Sequence, residues 1–222
     1  MAATLIGMLA GTGSAVAHPE GQVCDMHAFT FYNAYLALHN QKTVKTVDQA
    51  PVIGDQSSGI TILQFCDLTQ KQCRENYQIT RQVLSDNTDA HAVFHYFAGQ
   101  DDQQTKVGQY LYEMSIVAYL TGGQSNYQDF LTATLHADIP KSKDQVDQLA
   151  QSIGLSEKQI KDNWAAAEKQ MATDASLAKT LKLRKAPSVF VMPTKKAEEG
   201  QIFFSEYQQV PGYIYQRAIS RI

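Results

Sequence analysis

Thiols are scarce in this sequence: Cys24, Cys66 and Cys73 are the only cysteines in 222 residues. An odd count leaves at least one of them free or joined to another molecule. Charge of one sign is scarce too. The formal net charge is −3, no long acidic or basic run occurs, and Lys195-Lys196 is too short a cluster to grip a nucleic acid. Beyond the first residues, no segment approaches the ~20 apolar residues of a membrane span. A glycine-rich phosphate loop and a Ser/His/Asp motif are both missing, and no cofactor is expected. What remains, at 44% hydrophobic and 18% charged residues, suits a globular chain with a real core, built as one large domain or a domain carrying an insertion.

Residues 1–17 stand apart. Ala2 to Ala17, "AATLIGMLAGTGSAVA", is apolar and small and ends in Ala15-Val16-Ala17, an A-x-A cleavage pattern. It reads as a signal peptide, although no Lys or Arg precedes the run. Gly7, Gly11 and Gly13 weigh against a buried helix there. Cys24 follows Gly21-Gln22-Val23, which lacks the small residue a lipid-acceptor cysteine needs before it. The mature chain is therefore expected to be periplasmic or otherwise exported, where two thiols within reach of each other tend to pair. Residues 18–57 read as an N-terminal helix and linker. Ala28 to Asn40 carries Phe29, Tyr32 and Leu36 at helical spacing, a surface for a partner or for a second copy in a homodimer. Val44 to Asp55 is linker-like, punctuated by Pro51 and Gly54. "CDMH" (Cys24 to His27), with His18 at a mature N-terminus, offers copper-type donors. So few donors in a terminal segment are more often incidental, and no metal site is assigned.

The folded domain is expected over residues 58–222. Ile60 to Cys66, "ITILQFC", is a buried strand, Lys71 to Ser85 a helix, and Ala90 to Phe97 the next strand, which implies a right-handed parallel crossover. Helical periodicity then runs through Val107–Leu120, Tyr127–Leu135, Lys143–Ile153 and Ser156–Leu181. These form an insertion of about residues 105–183. Gly154 can close one helix, and Ser156 with Gln159 forms a capping box for the next. Trp164, Ile160 and Met171 lie at core spacing on that last helix. His91 and His95 share one strand face, as expected of a half-buried sheet surface. Two β-runs, 188–192 and 201–205, and a helix at 214–219 close the chain. Asp67 is placed to cap the helix start.

Three segments in this order carry a resemblance: "APVIGDQSSGITILQFCD" (Ala50 to Asp67), "KAPSVFV" (Lys185 to Val191) and "VPGYIYQRAI" (Val210 to Ile219). Together they resemble the DsbA-like family of exported disulfide oxidoreductases, over roughly residues 51–222. The resemblance implies an α/β thioredoxin fold with a mid-domain helical insertion. It also implies a cis-proline loop at Ala186-Pro187 facing the cysteine pair and a bound peptide. The chain departs from the family at the chemistry. On the family pattern Gln70 falls at the nucleophilic cysteine, Lys71 and Gln72 at the two middle residues, and Cys73 at the resolving cysteine. A thiol in the first helical turn is activated by unpaired N–H groups and the helix dipole, and only its thiolate attacks a disulfide. Gln70 can do neither.

Two readings follow. In the first, the chain keeps the scaffold without the usual redox pair and serves as a protein-binding or structural component of the cell envelope. Its peptide groove is then lined by Gln70, Lys71, Gln72, Lys185, Ala186 and Pro187. In the second, Cys66 and Cys73 act as a relocated catalytic pair in an atypical thiol–disulfide oxidoreductase. Any two of Cys24, Cys66 and Cys73 could instead form a structural disulfide. By loop entropy a Cys66–Cys73 bond is worth about 2.5 kcal/mol, and one from Cys24 about 4 kcal/mol.

Overall fold

The computed structural model describes residues 50–99, 106–195, 201–206 and 210–222. The expected signal peptide, the Ala28–Asn40 helix, Cys24 and the copper-type donors lie outside the described residues. A five-stranded sheet of order β1-β3-β2-β4-β5 forms the centre. Its strands are β1 (Val52–Ile53), β2 (Ile60–Cys66), β3 (Ala90–Tyr96), β4 (Ser188–Pro193) and β5 (Phe203–Glu206). All seven residues of β2 are buried, as a central strand covered on both faces requires. β2 runs parallel to β3, joined by the crossover helix α1 (Lys71–Asp86), and antiparallel to β4. β1 lies inside the stretch read as linker. Too short to show a period, it pairs antiparallel with the edge of β3.

Between β3 and β4 the chain inserts α2 (Lys106–His136), α3 (Lys143–Ser152) and α4 (Glu157–Thr180). The two helices expected before residue 136 are continuous apart from a break at Gly122-Gly123, where Gly123 takes φ +64°. Gly154 closes α3 with φ +82°, and the Ser156–Gln159 capping box opens α4. No helix among the described residues is long and apolar enough to cross a membrane.

Alternation along the strands gives the sheet two apolar faces. Ile62, Phe94, Val189 and Val191 pack under α1, α2 and the closing helix α5 (Gly212–Ile219), with Tyr77 and Tyr215 fully buried between them. On the other face, Leu63, Phe65, Phe190 and Phe204 meet Leu177 and Leu181 from the end of α4. Trp164 is half-buried at the rim of the first core, beside Tyr110 with ring centroids 5.0 Å apart. The insertion is thus bolted to the sheet from both sides. Arg74 adds a third tie, because its Nη2 donates to the carbonyls of Thr134, Leu135 and Ala137 at the end of α2.

Candidate functional site

β2 ends at Cys66, and four residues separate it from the start of α1 at Lys71. Asp67 shapes the turn rather than the helix start: its Oδ1 accepts from Thr69 N at 2.8 Å and from the Thr69 hydroxyl at 2.7 Å. The expected capping role is corrected on this point. Gln70 is the N-cap, with extended backbone and no side-chain cap bond. Its amide crosses the helix tip instead, and Nε2 donates to Ala98 O at 2.7 Å in the loop after β3.

Both thiols lie behind that amide. Cys73 is fully buried, its Sγ accepting from Asp67 N at 3.3 Å, and Cys66 is buried beside it. The two thiols are neighbours, and both are free, without the Cys66–Cys73 bond considered from sequence. Gln64 Nε2 donates to Cys66 Sγ at 3.3 Å, and the Thr80 hydroxyl donates to Gln64 Oε1 at 3.1 Å. Thr80 and Asn76 both reach the Tyr215 hydroxyl, so one buried polar chain runs from the thiols to α5.

Across the site, the Ala186–Pro187 peptide is cis. Phe65 pairs with Ser188, so the next residue on each strand sets Pro187 beside Cys66. Ser188 pairs with Glu206 on β5, and the Glu206 Oε1 accepts the backbone N–H groups of Arg184 and Lys185, the latter at 3.1 Å. The Ser188 hydroxyl closes the loop onto Lys185 O at 2.6 Å. Lys71 and Gln72 are exposed, Gln70 and Ala186 half-buried, and Pro187 buried. The cis-proline loop thus precedes β4 opposite the end of β2, the end from which the chain turns into α1.

No protein-family model and no curated protein sequence matches the chain. Solved structures do match. A thiol-disulfide exchange protein, alpha-DsbA2 from Wolbachia pipientis, superposes with TM-score 0.68 at 15% identity, over 89% of this chain and 96% of its own. BcfH from Salmonella enterica Typhimurium gives 0.67 at 17% identity, over 88% and 89%. A thioredoxin-like oxidoreductase from Silicibacter pomeroyi gives 0.63 at 18% identity, over 82% and 96%. The fold is DsbA-like.

Within this DsbA-like frame, the buried polar groups are what sequence reading missed. His91 and His95 do share a face of β3, but both are buried, not half-exposed. His95 Nδ1 lies 2.8 Å from Asp174 Oδ1 on α4, with both side chains fully buried. Asp174 sits on the buried stripe Ala167, Gln170, Leu177, Ala178, and that spacing alone was enough to mark it as a buried acid.

The approach of α2 to this corner depends on Gly108. A Cβ there would stand 2.3 Å from Asp67 Oδ2, which Tyr96 OH holds at 3.1 Å. Gly108→Ala should therefore destabilise the protein by about 2 kcal/mol, because neither the carboxylate nor the helix can retreat. Urea denaturation checks it, and an unchanged midpoint would contradict this account of the contact.

Burial pushes the Cys73 thiol well above its ordinary range, and the Cys66 thiol adds to the rise. Desolvation also raises Tyr77, Tyr96, Tyr112 and Tyr127. The unfolded chain loses these protons first, at about pH 8.5 for the thiol and about pH 10 for the phenols. Above those values the folded state binds more protons, so stability falls as pH rises. Urea midpoints should be steady around neutrality and decline past about pH 8.5. Cys73→Ala should remove the first part of that decline and leave the phenol part.

Proposed function

We propose that this chain is an exported DsbA-like protein that binds an extended segment of a cell-envelope protein and does not run a dithiol cycle. The observation that carries this reading is the Gln70 amide at the α1 tip, bonded to Ala98, with both sulfurs buried behind it. A group at that tip would be the one to attack a disulfide, and an amide has no electron pair suited to it. On this reading Gln70, Lys71 and Gln72 form one wall of the binding site, and Lys185, Ala186 and Pro187 form the other. Glu206 and Ser188 hold that second wall in place, which supports binding as the retained task. Export rests on the sequence pattern of residues 1–17, and a homodimer would rest on the helical spacing of Phe29, Tyr32 and Leu36 in the sequence.

The second reading, thiol–disulfide exchange through Cys66 and Cys73, is favoured by one observation, the contact between the two thiols. It requires the corner to open before either sulfur can be reached.

Two measurements decide between them. Octapeptides recovered from a random display library on the full chain should bind about tenfold more weakly to Pro187→Ala, the equivalent of one well-placed contact. Maleimide labelling of the native protein should reach neither Cys66 nor Cys73 until denaturant is added. Rapid native labelling, with dithiol turnover abolished by Cys66→Ala, would transfer the assignment to the second reading.

A further inference from the structure

We infer that the helical insertion carries a docking surface, centred on Tyr110 and Trp164, for a segment of another protein bearing arginine or lysine. This surface is built from the insertion alone and stands whether or not the cis-proline loop binds a peptide. The two rings lie side by side on α2 and α4, their centroids 5.0 Å apart, and both residues are half-buried. Tyrosine and tryptophan in such a setting are what interface centres are built from. Polar contacts fix both rings. The Tyr110 hydroxyl donates to Asp147 Oδ1 at 2.7 Å, and Trp164 Nε1 donates to Glu168 Oε1 at 3.0 Å. The Lys143 ammonium stands 4.5 Å from the centre of the Tyr110 ring. Packing α2 on α4 would need apolar side chains only, so the charged surround is a separate feature.

Carboxylates from all three insertion helices face this pair: Glu113 on α2, Asp144 and Asp147 on α3, and Glu168 on α4. Asp147 and Glu168 accept from neutral donors, which leaves their charge in place. Among the described residues none of the four stands in an ion pair. Lys106 and Lys161, one turn back from Tyr110 and Trp164 along their helices, form no ion pair either. Glu113 registers the crowding. Burial and Glu168 hold its carboxyl above the ordinary range, and Lys143 works the other way. Lys143 is thus a cation that the chain itself lays on the ring, on an exposed residue. Such a contact at the surface favours the seated form only a few-fold. A partner's guanidinium can stack on the ring and fork onto a carboxylate at once, so it displaces the resident lysine.

Trp164 is the chain's only tryptophan, so its emission reports on this surface. Acetylated tetra-arginine amide, titrated into the full chain at low ionic strength, should change that emission saturably, and tetraglutamate should not. Tyr110→Leu should weaken tetra-arginine about two- to fivefold, the worth of one exposed cation–ring contact. Tyr110→Phe keeps the ring and should bind as the natural chain does. Glu113→Gln/Glu168→Gln should weaken binding about fourfold, two exposed ion pairs at about twofold each. Lys143→Gln should strengthen it about two- to fivefold, because the resident cation is gone. The absence of any saturable change would overturn the inference. So would a change that the Tyr110→Leu and double-glutamine variants leave untouched, since that is diffuse attraction between opposite charges. Weaker binding to Lys143→Gln would overturn it too, because that lysine would then belong to the contact and not occupy its place.

Discussion

Gln70→Cys should give this protein an oxidising activity toward dithiols that the natural sequence is expected to lack. The substitution puts a thiol at the N-cap of a sixteen-residue helix, where orphan N–H groups and the helix dipole favour the thiolate. A thiol near pKa 8.5 is about 3% ionised at pH 7, whereas one lowered to ~7 or below is at least half ionised. That factor alone predicts a gain of about tenfold or more, before accessibility is counted. The chemistry balances as follows. The new thiol and Cys73, three residues on, form a disulfide, oxidised at the outset by oxidised glutathione. A substrate thiolate attacks the outer sulfur, and Cys73 leaves and takes up a proton. The second substrate thiolate then displaces the outer sulfur, so two electrons pass from the substrate dithiol to the protein.

The measurement is the oxidation rate of a peptide dithiol with glutathione disulfide as the terminal oxidant. The natural sequence should match the buffer blank, and Gln70→Cys should exceed it clearly. Adding Cys73→Ala to that variant should stop turnover at the mixed disulfide. Loss of the bond to Ala98 O costs about 1 kcal/mol, too little to unfold the domain. A folded variant that stays inert would show that the α1 tip no longer activates sulfur. Equal activity in the natural protein would show that Cys66 and Cys73 were already the working pair.

How much of this was legible in the sequence depended on the range of the interaction. β2, α1 and β3 could be read because each carries its own period and punctuation over seven or more residues. The α4 cap could be read because Ser156 and Gln159 are three residues apart. The cis-proline loop followed from resemblance, and the structure carries it. β1 was missed because two residues have no period and take their strand character from β3. Asp67 was misjudged because a carboxylate before a helix can close the preceding turn as readily as cap the helix, and Thr69 offered both donors. The Gln64–Cys66–Thr80 contacts and the Glu206 clamp join residues whose partners no local pattern names. His95 and Asp174 lie 79 residues apart in the chain, so only the fold could introduce them.

That last pair carries the largest expected loss of stability. Four donors converge on the Asp174 carboxylate, two per oxygen: His95 Nδ1 at 2.8 Å and Gln170 Nε2 at 2.7 Å on Oδ1, Tyr96 N at 2.9 Å and the Tyr112 hydroxyl on Oδ2. They come from β3, α2 and α4, so one side chain joins the sheet to both long helices of the insertion. Facing a group that only accepts, His95 carries its proton on Nδ1. Asp174→Ala strands all four donors in a dry interior and should cost about 3–5 kcal/mol, the usual result of breaking a buried polar pair from one side. For a chain of this size that is a fall in Tm of roughly 6–20 °C. Asp174→Asn should cost much less, about 1–2 kcal/mol. Its oxygen can keep Tyr96 N and Tyr112, while its NH2 can face a flipped Gln170 amide, whose Oε1 otherwise has no partner, and the alternative tautomer of His95. Thermal and urea unfolding of the two variants measure the difference. If alanine and asparagine proved equally mild, the joint would be ornamental, and apolar packing alone would hold the insertion to the sheet.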